Sequence, residues 1–117
     1  MAEAVVIFHN PGCSTSRKAL EAIRAAGREP RVVEYLKAGW TRPQLKALFA
    51  KMGVEPRAAL RTRNTQAEAL GLTAPGASGE VIIDAMVADP VLVERPIVET
   101  AKGAVLARPV ERVAEVL

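Results

Sequence analysis

A strand-like run, a helix-like run and a second strand-like run fill residues 4–35, and that order constrains the fold more than any other feature of the chain. AVVIF (residues 4–8) is a continuous apolar run with β-branched residues at its centre, the pattern of a strand buried on both faces. In STSRKALEAIRAAG, Ala19, Leu20, Ile23 and Ala26 recur at helical spacing. Arg17, Lys18, Glu21 and Arg24 supply the wet side, and Gly27 offers a C-terminal stop. RVVEY (31–35) is the second strand. Such a βαβ unit normally has parallel strands and a right-handed crossover. With 117 residues the chain has room for one core, so a single domain over 1–117 is expected.

Beyond the βαβ unit the character changes. TRPQLKALFAKMG has Thr41 as a cap, Pro43 in the first turn and Gly53 at the end. Two shorter helical pieces are expected around EPRAALR and NTQAEALGL, the second opening on Asn64. EVIIDAMVADP reads as a further helix closed before Pro90. PIVETAKGAVLARP then predicts two short strands around Lys102-Gly103, and VERVAEVL a last helix after Pro109. The predicted class is α/β: a mixed sheet flanked by helices, with a helical insertion at about 41–92 between a βαβ part and a ββα part.

Half of the residues are hydrophobic and a quarter charged, which excludes disorder. No apolar run approaches the roughly 20 residues of a membrane span. MAEAVVIFHN lacks the basic and long apolar regions of a signal peptide, so a cytoplasmic protein without a membrane partner is expected. One Cys and one His (His9) fall short of the roughly four ligands of structural zinc, and no metal is expected. The formal charge of +3 suits either a solvated surface or an anionic substrate. Nucleic acid is not expected, because basic residues are scattered among acidic ones and only Phe8, Tyr35, Trp40 and Phe49 are available to stack on bases.

Cys13, the only cysteine, stands where the first strand hands over to the first helix. Unpaired backbone N–H groups and the positive end of the helix dipole there favour thiolate over thiol. Arg17, Ser14, Thr15 and Ser16 are placed to add charge or hydrogen bonds, and His9, four residues earlier, to help hold the thiolate. Pro11 and Gly12 shape the turn. The same N–H groups suit a phosphate-like oxyanion. Cysteine-dependent phosphatases pair a cysteine with an arginine six residues on, whereas here the gap to Arg17 is four. A thioredoxin-type CxxC would need a cysteine at Ser16. Any oxidised adduct of Cys13 must therefore be resolved by a thiol from another molecule.

HNPGCSTSR (9–17) resembles the active-site loop of the glutaredoxin-linked arsenate reductases. MGVEPRAALR ending at Arg61, ERPIVET containing Arg95 and LARP containing Arg108 resemble further segments of that family, in the same order. The resemblance implies a thioredoxin-like (glutaredoxin-like) fold and a cysteine, matching Cys13, that attacks arsenate. It implies that Arg61, Arg95 and Arg108 bind the oxyanion and that His9, Ser16 and Arg17 support the thiolate. Glutathione is implied as co-substrate, with no bound cofactor, and glutaredoxin as the partner that removes the mixed disulfide while arsenite is released. Thioredoxin-like folds also place a cis-proline before the strand that faces the catalytic cysteine, so Arg95–Pro96 is expected to be cis. From the residues alone, Arg61 reads equally well as a surface cation between Arg57 and Arg63, and Arg95 and Arg108 as loop residues before prolines. Two other functions remain compatible with the sequence: a non-enzymatic redox-sensing transcriptional regulator of the same superfamily, and a thiol enzyme acting on another oxyanion or on glutathione adducts. Ser16 in place of a second cysteine counts against the regulator.

Overall fold

The structure, a computed structural model, describes residues 4–117. Residues 1–3, part of the N-terminal stretch read above, lie outside the described residues. Two compact units form, one from the residues up to Ala38 together with Arg95–Leu117, the other from Gly39–Glu94. In the first, β1 (Val6–His9) pairs in parallel with β2 (Arg31–Glu34) and antiparallel with β3 (Ile97–Thr100). β3 in turn pairs antiparallel with β4 (Gly103–Leu106), giving the strand order β2-β1-β3-β4. The pairing follows from the connections. Parallel strands need a long crossover, here helix α1 (Ser14–Ala25), whereas Ala101 and Lys102 suffice to reverse the chain between β3 and β4.

Ile7, Val98 and Val105 stand opposite one another across β1, β3 and β4 and form the middle of this unit's core. α1 lays Ala19 and Ile23 over that row, and a 3₁₀ segment at Val110–Glu115 adds Val113, with Val116 behind it. Each such buried Val or Ile side chain stabilises the fold by about 1.5–3 kcal/mol. The mixed sheet with flanking helices is the architecture expected from the sequence. Three details differ. The first strand begins at Val6 and includes His9, because the ladder continues to the His9–Glu34 pair. The segment after Pro109 is 3₁₀ rather than α-helical. The second strand ends at Glu34, and Tyr35, expected in that strand, opens a short helix α2 (Tyr35–Ala38).

The second unit is helical. α3 (Arg42–Met52) opens on a capping box in which Thr41 and Gln44 each bond the other's backbone N–H, and it closes on Gly53 in the left-handed region at φ 68°. α4 (Gly79–Ala88) is capped by Ser78, whose hydroxyl accepts from the Val81 N–H. Leu45, Leu48 and Phe49 of α3 and Ile82, Ile83 and Met86 of α4 are buried. Arg42 pairs with Glu80 and Asp84, which ties the two helices together on their wet side. EPRAALR forms a 3₁₀ turn at Pro56–Ala59.

The helix expected to open on Asn64 does not form. Asn64 sits at φ 56°, and the Thr65 hydroxyl donates to the Arg61 carbonyl at 2.7 Å and accepts from the Ala67 N–H at 3.2 Å. That hydroxyl competes with the backbone for the bonds a helix would need, so the segment becomes a series of turns. Among the described residues no helix is long and apolar enough to cross a membrane.

Candidate active site

Cys13 is the N-cap of α1, in extended conformation at φ −100° and ψ 122°. The loop before it is held locally: the Cys13 N–H donates to the Asn10 carbonyl at 3.0 Å, and the Gly12 N–H to Asn10 Oδ1 at 2.9 Å. A side chain at Gly12 would place its Cβ 3.3 Å from that oxygen, so the close turn suits glycine. Burial pushes the Cys13 thiol up. The Ser16 N–H, the hydrogen bond and charge of Arg95, and the Thr15 N–H more than offset this, and the thiol lies below its ordinary value. The helix entrance thus stabilises the thiolate through backbone donors, as its position predicts.

Ser16 is fully buried, and its hydroxyl lies 2.6 Å from His9 Nδ1 while accepting from the Asn10 N–H at 3.1 Å. His9 therefore reaches the thiolate through Ser16, whose backbone N–H faces the sulfur. Burial lowers the His9 pKa; Glu34 opposes this, while Arg17 and Arg24 add to the lowering. Burial thus favours the neutral imidazole. Arg17 Nη1 donates to the Pro11 carbonyl at 2.7 Å, so this side chain braces the loop. The cation among the groups that lower the Cys13 thiol is Arg95, not the neighbour on the helix.

Sheet register delivers Arg95. Because Phe8 pairs with Ile97, the residues just before β3 come to the carboxyl end of β1, beside the loop that carries Cys13. Arg95–Pro96 is cis, as expected, and so is Arg108–Pro109, which the sequence did not suggest. The Ala107 N–H donates to the Pro96 carbonyl at 2.9 Å, which returns the chain beyond β4 to the same end. There Arg108 Nη1 donates to the Arg95 carbonyl at 3.0 Å. Nε and Nη1 of Arg95 are buried without a hydrogen-bond partner. Two such donors beside a thiolate are able to receive an anion, since buried N–H groups gain most when an acceptor arrives.

His9, Cys13, Ser16, Arg17, Arg95, Pro96 and Arg108 thus share one end of the sheet-bearing unit. Arg61 belongs to the other unit. Only 8% exposed, it is no surface cation like its neighbours Arg57 and Arg63. Its Nη1 donates to Glu94 Oε1 at 2.7 Å, and its backbone is braced by an N–H bond to the Leu92 carbonyl at 2.8 Å. Arg57 instead spans the carbonyls of Thr73, Ala74 and Ala77. Sequence reasoning missed Asn10 and Glu94. An Asn before Pro-Gly is a turn signal that was available. Nothing in the sequence marks Glu94 as the partner of a residue thirty-three positions earlier.

Residues 8–116 match the sequence profile of the ArsC family. The chain belongs to the ArsC family. Across 113 residues this ArsC-family chain is 51% identical to arsenate reductase ArsI2 of Synechocystis sp., with 97% of this chain and 81% of that protein covered. It is 44% identical to the arsenate reductase of Escherichia coli strain K12, covering 97% and 80%. Its fold superimposes on the arsenate reductase from Vibrio cholerae with a TM-score of 0.95 at 37% identity over 100% of both chains. The mixed sheet and its flanking helices are therefore the thioredoxin-like fold of ArsC arsenate reductases.

Proposed function

We propose that this protein is an arsenate reductase that works through the single thiolate of Cys13, with glutathione and glutaredoxin as external reductants in the cytoplasm. The observation that carries this reading is the pairing of a lowered thiol at a helix entrance with the buried, unpartnered Nε and Nη1 of Arg95. Relatives named as arsenate reductases and the absence of a second cysteine support it. In this mechanism Arg95 and Arg108 orient arsenate, and Arg61 joins them on the strength of the family resemblance. The thiolate attacks arsenic and an oxygen leaves as water, giving a Cys13–arsenate adduct. A glutathione thiol attacks that adduct. The two sulfurs end as one disulfide, arsenic keeps the electron pair, and arsenite departs. Glutaredoxin then removes glutathione from Cys13 by thiol–disulfide exchange.

Arsenite release by the purified protein tests this, with Cys13→Ser as blank. Arsenate alone is expected to stall at the adduct. Glutathione with glutaredoxin is expected to restore multiple turnovers, while thioredoxin with its reductase supports little. Sustained arsenite production by Cys13→Ser, or with thioredoxin as sole thiol source, overturns the reading.

A further inference from the structure

Beside the first turn of α1 lies a cavity of about 260 Å³ lined by Thr15, Lys18, Arg108, Pro109, Val110 and Glu111. Two walls form it: the helix that carries Cys13 at its N-cap, and the segment that follows β4. Its charges are two cations and one carboxylate. The side chains of Lys18 and Glu111 form no ion pair or hydrogen bond among the described residues. Arg108 belongs to both this cavity and the Cys13 end of the sheet, since it holds the Arg95 carbonyl and the Arg95 guanidinium engages the thiol. The cavity is smaller than the roughly 300–1,000 Å³ of sites that enclose a whole small molecule. It suits the charged end of a peptide whose thiol projects outward.

We propose that this cavity seats the γ-glutamyl end of glutathione, with Lys18 facing its carboxylate and Glu111 its ammonium group, and so presents its sulfur to Cys13. The proposal rests on the reading of the protein as glutathione-dependent. That end of the thiol tripeptide carries one carboxylate and one ammonium, the inverse of Lys18 and Glu111. Neither the oxyanion chemistry nor the packing of the sheet requires Lys18 or Glu111, and both side chains are exposed, so substitution there leaves the core untouched.

Thiol–disulfide exchange tests the site without arsenate. Cys13 thiolate attacks oxidised glutathione, one glutathione stays on Cys13 as a mixed disulfide, and the other leaves as thiolate. As Cys13 is the sole cysteine, intact-mass measurement follows the reaction cleanly. Two disulfides serve as controls: neutral hydroxyethyl disulfide, and dithiodiglycolate, which has carboxylates but no ammonium. Lys18→Glu is expected to slow exchange with oxidised glutathione about tenfold and to leave the neutral disulfide unaffected. Glu111→Lys is the decisive variant. It is expected to slow exchange with oxidised glutathione while speeding dithiodiglycolate, because only glutathione has an ammonium to lose. In arsenite assays both variants are expected to raise the KM for glutathione. If both substitutions move the two anionic disulfides alike, only a general charge field acts and the site is overturned. Normal arsenite production with an unchanged glutathione KM in both variants also overturns the site, and leaves the reductase reading standing. Wild-type exchange with the expected charge dependence but no arsenite supports the site and sinks the reductase reading instead.

Discussion

Arg95 is held through its carbonyl by Arg108, and its guanidinium is among the groups that lower the Cys13 thiol. Removing it takes a charge and a donor from the thiolate together. Arg95→Ala is therefore expected to raise the Cys13 pKa, and Arg95→Lys to restore it only in part, since an ammonium lacks the planar fork. Alkylation rate against pH measures this: the wild-type curve reaches its plateau at lower pH than Arg95→Ala, and coincident curves refute the assignment. Because the folded thiol is lowered, its stabilising contribution is present above the unfolded thiol's value of about 8.5. It is lost as pH falls through the folded value. Cys13→Ser should accordingly lose most stability against wild type at alkaline pH. Glu94 makes a second case at this scale. Glu94→Ala strands a guanidinium whose side chain is 10% exposed, and we expect a loss of about 1–3 kcal/mol in denaturant unfolding. Glu94→Gln, which keeps an acceptor, is expected to lose less. Equal losses in the two variants would mean that the carboxylate charge, not the hydrogen bond, holds Arg61.

Helices α3 and α4 owe their starts to side chains rather than to packing alone. Thr41 and Ser78 each accept from a backbone N–H of the first turn that would otherwise have no partner. Replacing either with Ala is expected to cost about 1 kcal/mol, visible as a lower denaturant midpoint at unchanged slope. A neutral result at Thr41 would show that the reciprocal Gln44 bond suffices. Strands differ by position: β1 and β3 are paired on both sides, whereas β2 and β4 are edges. Amide hydrogen exchange is therefore expected to be slowest at positions such as Ile7 and Val98, and faster in β2 and β4. Equal protection across all four strands contradicts this order.

The sheet-bearing unit is discontinuous in sequence, since Arg95–Leu117 supplies β3 and β4. A chain ending at Glu94 keeps only the β1–β2 pair of the sheet, and a two-stranded sheet is marginal in water. Such a fragment is expected to lose both cooperative unfolding of the sheet and the lowered Cys13 titration, because Arg95 leaves with the deleted segment. Circular dichroism and thiolate absorbance report the two losses. A fragment whose alkylation plateau is reached at as low a pH as the full chain's would show that backbone donors alone hold the thiolate.

The sequence by itself determined the local structure whose causes are local. Spacing of Ala19 and Ile23 made α1, Thr41 and Gly53 bounded α3, and the position of Cys13 at a helix entrance announced a lowered thiol. Where local signals compete, it was less decisive: the apolar spacing of NTQAEALGL suggested a helix, and the Thr65 hydroxyl and a left-handed Asn64 made turns. Tertiary structure alone decided which cation meets the thiol. Arg17 is nearer in sequence, but its guanidinium turns to Pro11, and antiparallel pairing of β1 with β3 brings Arg95 to Cys13 instead. Tertiary structure also buried Arg61 against Glu94 and left Arg57 on the surface. Helical spacing and caps are set by neighbours within a few residues, so one chain segment carries them. Ion pairs and strand register join residues far apart in the chain, and only the folded backbone sets those distances.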